Sequence, residues 1–431
     1  MKVIKLKQLP KKDYQRIMAR SAGDDSKIMP SIQQVMKRMQ KDGDKYIYEN
    51  AFKYFSKQDF GSIKVSKKEI SQAYSEVNKD FIKSIRQMIK NITLVHQAQL
   101  PKKKDRVVYP EQGISVWREW RAIEKVGLYI PGGQAIYPSS VLMSAIPAQI
   151  SGCKKIIMCS PARETGQIPS PTLVAADMIG LKQIFKVPGP LAIAAMTYGT
   201  ETVPKVYKIF GAGGAAVTAA KMLALKTTSI DMPAGPSEVF IIADETANPA
   251  FIAADLLADG EHGNDSACVL VTTSRKIAKN TAKEIDKQIS VLTTKVRTSQ
   301  SLKKYGLIAL VDSIKEAVDF VNEYAPEHLE IMTKNPEAIV KNIINAGSIF
   351  LGDWSSKSSG DYATGANHVL PTGGMAKMYP PLGVDCYGKW MEIQKCTKTG
   401  LSKIKKSIEI LSEIEGLPAH KNSTLIRFRE I

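Results

Sequence analysis

The sequence predicts an α/β protein made of two doubly wound, Rossmann-like α/β domains, with a helical N-terminal region before them and a small helical C-terminal module after. Three observations carry that expectation. At 431 residues the chain exceeds what one compact core holds, so two or more domains are required. From about Trp117 short continuous apolar runs alternate with helical periodicity, the pattern of βαβ units on a parallel sheet covered on both faces. A Pro/Gly-rich stretch, "TSIDMPAGPSEVFIIAD", interrupts the alternation once and marks a crossing point between domains. The expected boundaries are 1–108 for the helical region (part of which can join the second α/β domain), 109–238 and 239–380 for the α/β domains, and 381–431 for the C-terminal module.

The elements follow in order. "MPSIQQVMKRMQKDGDKYIYEN" is helical, with lysines on its solvated face. "KVGLYIPGG" reads as strand and turn, "SSVLMSAIPAQISG" as helix, "KKIIMCSP" as strand and "SPTLVAADMIGL" as helix. "KQIFKVPG", "PLAIAAMTYG", "VYKIFGAGG" and "AAVTAAKMLAL" continue the alternation. The second block holds the helix "PAFIAADLLADGEH", the strand "SACVLVTT", the helix "RKIAKNTAKEIDKQISVL", the strand "LIALVD" and the helix "SIKEAVDFVNEYA". "HLEIMT", "NPEAIVKNIINA" and "GSIFLG" close it, and after residue 380 the pattern reads as helical. Two such blocks in succession imply a cleft between them, the usual place for a ligand.

Composition narrows the function classes. No run of 18 apolar residues suggests a membrane span, and "MKVIKLKQLPKKDY" leads into no apolar secretory core. Five widely spaced cysteines without a C-x-x-C read as reduced thiols in a cytoplasmic protein. The net charge of +18 raises the question of nucleic acid, but +13 of it is scattered over helical patterns in residues 1–120. That is a lysine-rich surface, and nucleic acid is not expected as a partner.

Four of the five histidines lie in polar clusters, and only His96 has an ordinary helical context. In "DLLADGEHGNDS", Asp259 and His262 are spaced i, i+3 near a helix end. That spacing suits two ligands of one metal, although taken alone a solvated helix C-terminus favoured by the macrodipole is the plainer reading. "YAPEHLEI" sets Glu327 beside His328 at a helix-to-strand junction, expected at a sheet's carboxyl edge. The pair offers a proton acceptor and a water activator in one place. "SSGDYATGANHVLPTGG", an irregular glycine-rich segment, carries Asp361 and His368, and "EGLPAHKNS" carries Glu415 and His420. Taken together, Asp259, His262, Asp361 and His420 make a set of N and O donors that suits Zn²⁺ or Mn²⁺. "FGAGGAAVTAAK" offers a loose G-x-G-x-x-A at Gly211, Gly213 and Ala216, with Asp231 twenty residues after Gly211.

In this order the segments "VGLYIPGG", "GTETVPKVYKIFG", "IDMPAGPSEV", "APEHLEI", "NAGSIFLG", "GDYATGANHVLPT" and "LPAHKNS", with the helix end above, are similar to the histidinol dehydrogenase family. The resemblance runs from about residue 110 to 430. It implies a cytoplasmic homodimer, its sites completed across the interface, that oxidises L-histidinol through the aldehyde to L-histidine with two NAD⁺. It also implies one Zn²⁺ per subunit that holds substrate, with His262, Asp361 and His420 as ligands and Asp259 at the fourth position. Glu327 and His328 fall on the catalytic pair, His328 as base on the alcohol and Glu327 as activator of water. Ser237, His368 and Glu415 match substrate-contacting positions, where the metal-site residues and His328 also belong; Tyr129 matches a cofactor-contacting one. Three positions depart from the pattern. Asp259 stands where the family has Gln, Leu191 where a cofactor-binding Gln is expected, and Gly214 where a cofactor-binding Asn is expected. The alternatives are a related enzyme acting on another polar alcohol, and a metal-binding relative without catalysis.

Overall fold

The computed structural model describes residues 1–20, 27–54, 61–132, 135–163, 165–233 and 235–429. Gly133 and Ala234, members of two of the quoted motifs, lie outside them. The chain divides into two compact units, one of Met1–Gln99 with Ile123–Tyr387, the other of Leu100–Ala122 with Gly388–Ile431.

The larger unit opens with strand β1 (Val3–Lys5); β2 (Ile114–Ala122) belongs to the smaller one. Then come β3 (Lys125–Tyr129), β4 (Lys155–Ser160), β5 (Ile184–Lys186), β6 (Lys208–Phe210) and β7 (Ser229–Ile230). These five form a parallel sheet in the order β5-β4-β3-β6-β7. Alternation along β3 shows why the sheet is covered twice. Val126, Leu128 and Ile130 point into a core shared with the helices Lys79–Ala98, Pro138–Ser151 and Ser170–Met178. Tyr129 points into the opposite core, with the helices Met29–Tyr54, Gly189–Tyr198 and Ala215–Ala224. A strand buried on both faces has no use for polar alternation, hence the continuous apolar runs.

A second parallel sheet follows, of β8 (Glu238–Ala243), β9 (Ala267–Thr272), β10 (Gly306–Leu310), β11 (His328–Met332) and β12 (Ser348–Leu351). Its order is β1-β10-β9-β8-β11-β12. Val239, Ile241 and Ala243 of β8 pack on one face, Phe240 and Ile242 on the other. Strand β1 was hidden in the sequence because three residues among lysines give no usable period.

The smaller unit corrects the expectation of a helical pattern after residue 380. Strand β13 (Gly388–Cys396) pairs antiparallel with all of β2, Gly388 opposite Ala122 and Cys396 opposite Ile114. Only then does the expected helix Lys398–Ile414 begin, with the Thr397 hydroxyl accepting from Gly400 N at its N-terminus. The strand "GKWMEIQKC" alternates weakly, since most of its side chains are half-buried or exposed.

Candidate functional site

The site is built at the amino end of the second sheet, where β8 and β11 begin. This corrects the expectation of its carboxyl edge. Glu327 and His328 sit at the start of β11, and Ser237, half-buried, immediately precedes β8. Because helices run antiparallel to the strands they cover, helix C-termini gather at this edge, and Asp259 and His262 lie at the end of the helix Pro249–Gly260. The negative pole of that helix favours a cation here.

Backbone geometry aims the pair on β11. The helix Ile314–Tyr324 is stopped by Ala325 in the left-handed conformation, φ 54°, followed by Pro326. Such a residue is strained by about 1–3 kcal/mol. Gly347 passes so near that a Cβ there would lie 2.6 Å from the Glu327 carbonyl oxygen. Glu327 Oε2 accepts from Glu238 N at 2.8 Å, and His328 Nδ1 donates to the Glu238 carbonyl at 3.0 Å. A carbonyl only accepts, so the proton of the neutral ring is on Nδ1 and Nε2 carries the lone pair. That Nε2 is buried with no hydrogen-bond partner, 3.8 Å from Asp361 Oδ1. Burial pulls the imidazole pKa down, but the Glu327 carboxylate, 3.6 Å from Nδ1, outweighs it and sets the value above the ordinary 6.5.

The segment carrying Asp361 is not irregular throughout, for a short helix spans Lys357–Tyr362. Its first residue was missed in the sequence. Lys357 Nζ lies 3.0 Å from Asp259 Oδ1, 2.9 Å from Asp361 Oδ2 and 3.0 Å from His262 Nε2. Its side chain is only 3% exposed and that of Asp259 0%. Burial lowers the lysine pKa, but Asp259 and Asp361 outweigh it and hold the ammonium protonated. Conversely, burial raises Asp361, yet Lys357 with His328 and His368 keeps it below the usual carboxylate range. Burial first, and then Lys357, push His262 below 6.5. The one available signal was the i, i+4 spacing of Lys357 and Asp361, which places both on one helix face.

Behind the site two acids, Asp255 and Glu330, are buried side by side. Burial raises Glu330 well above the ordinary range, and Asp255 beside it raises it further. Asp255 itself is pushed up to about 6, again mainly by burial. Glu238, buried against Arg20 at 3.0 Å, is pushed up to about 7 by burial, which the guanidinium only partly offsets.

His368 joins the two halves of this unit. Its Nδ1 donates to the Asp361 carbonyl at 3.1 Å and its Nε2 accepts from Ser140 Oγ at 3.1 Å. Nearby, Asn367 donates to Met143 O at 2.7 Å and to His96 Nε2 at 3.2 Å, which gives the apparently ordinary His96 a buried structural role. A cavity of about 610 Å³, walled by Phe81, Tyr137, Glu261, His262, Arg297 and Tyr362, reaches the site. That volume suits a small polar metabolite. Glu415 and His420 belong to the smaller unit, where both are exposed.

The donor chemistry admits a cation. Atoms of Asp259, Glu327 and His328 come within 4.8 Å of one another. The particular fit of Zn²⁺ to Asp259, His262 and Asp361 fails, however, because the ammonium of Lys357 already stands among all three.

The dinucleotide implied by the resemblance fits a different edge. In the first sheet the strand order reverses between β3 and β6, and ligands of doubly wound folds bind at the carboxyl ends there. Gly211 follows β6 with φ 116°, and any Cβ would collide with the Tyr129 carbonyl. Gly214 caps the helix Ala215–Ala224 with no side-chain cap and open space beside it, and a helix N-terminus favours a phosphate. Tyr129 and Leu191 are placed in the core, Tyr129 with its hydroxyl accepting from Gly189 N at 3.2 Å. Asp231 is not free for a ribose, since it binds Lys221, Gly211 N at 2.8 Å and Met232 N at 2.7 Å.

Fold and site together define a doubly wound α/β protein with a buried histidine–carboxylate centre. The family model for histidinol dehydrogenase matches residues 18–428. The chain is 43% identical to a histidinol dehydrogenase of Bacteroides fragilis over 432 residues, all of both chains. It is 42% identical over 418 residues to one of Clostridium acetobutylicum, covering 97% of this chain and 96% of that one. A crystal structure of the histidinol dehydrogenase of Elizabethkingia anophelis matches with a TM-score of 0.91 at 41% identity, over 99% of this chain and 97% of that one. The chain belongs to the histidinol dehydrogenase family.

Proposed function

We propose that the chain oxidises L-histidinol through its aldehyde to L-histidine, with NAD⁺ as acceptor. The observation that carries the reading is His328 Nε2, buried and unpartnered on a ring fixed through Nδ1 to the Glu238 carbonyl. A lone pair held that way is a base awaiting a proton. His328 takes the hydroxyl proton of the alcohol as a hydride leaves the adjacent carbon. Glu327, oriented by Glu238 N, takes a proton from the water that adds to the aldehyde, and a second hydride leaves the hydrate. NAD⁺, when bound, supplies the empty position that receives each hydride. The start of the helix Ala215–Ala224 would hold its pyrophosphate.

Asp259 Oδ2 and the carboxylate of Asp361 present negative charge to the amine of the substrate, and Ser237 and His368 border it. No step passes through a metal. We further propose a homodimer in which Glu415 and His420 of a second copy complete the site, in keeping with their exposure in the smaller unit. Among the described residues no helix is long and apolar enough to cross a membrane; the proposed place is the cytoplasm.

The test is product stoichiometry. L-Histidinol with excess NAD⁺ gives two NADH for each L-histidine; absence of NADH at saturating substrate and cofactor excludes the reading.

A further inference from the structure

The three side chains that converge on Lys357 are three of the four that the family pattern gives to a metal. We infer that the Lys357 ammonium is the resident cation of this site and that, while seated, it shuts a divalent ion out.

The geometry is a three-sided cage. The ammonium donates to His262 Nε2 at 3.0 Å and is ion-paired with Asp259 Oδ1 at 3.0 Å and Asp361 Oδ2 at 2.9 Å. A zinc ion binds such atoms at about 2.0–2.2 Å. An ion reaching all three would lie between the nitrogen and the plane of the donors, inside the ammonium's own envelope. To admit it, Lys357 must give up every bond it makes and withdraw from a place where it is almost wholly buried. Its main-chain N–H faces the Asp255–Glu330 pair behind it. Asp259 stands where the family pattern has glutamine, and the negative charge it adds is met by the positive charge on Lys357. A neutral amide would leave the ammonium one counter-charge poorer; an aspartate completes the cage.

The inference is independent of the substrate proposed above, since a chain inactive on histidinol would give the same metal count. The full-length chain is incubated with excess zinc sulfate, desalted and its zinc measured by mass spectrometry. The expected result is far less than one ion per chain. Lys357→Met and Lys357→Glu, which empty the cage, are expected to retain about one ion each, and to show a cobalt d–d absorption absent from the unaltered protein. About one tightly held zinc in the unaltered chain overturns the inference, whatever the variants do. Variants that fold, by circular dichroism, yet hold no zinc overturn it as well. Should both variants unfold, ¹⁵N-lysine NMR of the unaltered chain decides. One slowly exchanging ammonium signal should stay unmoved on adding zinc, and its shift or loss contradicts the inference.

Discussion

Lys221 and Lys357 are both buried in the larger unit, and their surroundings differ. Lys221 lies under the first sheet, paired with Asp231 and donating to the Gly211 carbonyl at 2.9 Å, while Asp231 also accepts from two backbone N–H groups. Neither side chain has a buried polar atom left over. Lys357 is as deeply buried, but around it both carboxylate oxygens of Asp259 and His328 Nε2 remain without hydrogen-bond partners. Native proteins rarely leave such atoms orphaned. Burial of charge is therefore common to both regions, and unfinished hydrogen bonding separates a staple from a site.

Four substitutions test that contrast, beginning with the staple. Lys221→Met leaves Asp231 as an unpaired buried charge and should cost about 3–5 kcal/mol of stability, read as a lowered urea midpoint. An unchanged midpoint would show that the pair is not structural. Leu191→Gln restores the amide of the family pattern inside a fully buried helix. It should destabilise by about 1–3 kcal/mol, and a neutral effect would mean that this helix opens when cofactor binds.

Glu327→Gln acts on the site. The base must be neutral, and its pKa is raised, so activity should fall as pH drops through a midpoint above 6.5. Removing the Glu327 charge leaves burial, which lowers the pKa, so in the variant the acid limb of kcat/KM against pH should move to lower pH. A limb that stays put would mean that another group titrates. Gly214→Asn is the mildest change, because Gly214 has open space and caps a helix with an ordinary φ of −66°. It should gain a few tenths of a kcal/mol and lower the KM for NAD⁺; an unchanged KM would place the dinucleotide elsewhere.

The same contrast explains what was legible in the sequence. Both sheets could be read because buried parallel strands are apolar runs, as "KIIMCS" and "EVFIIA" show. Glu327, His328, Asp259, His262 and Asp361 could be singled out because scarce histidines sat among carboxylates, and the fold brings them together. Lys357 could not, being one of 60 basic residues with no composition signal of its own. The amino-edge position was hidden too, because a strand's sequence does not say which end its neighbours face. Strand β13 escaped because its exposed side chains break the period that marks a strand.

The central claim is that His328 Nε2 is a working base. It is tested most directly by the rate of histidinol-dependent NADH formation in the unaltered chain and in His328→Ala, side by side at saturating NAD⁺. The account predicts turnover in the first and a loss of about 10²–10⁴-fold in kcat in the second, with folding intact by circular dichroism. Equal rates in the two proteins would contradict it.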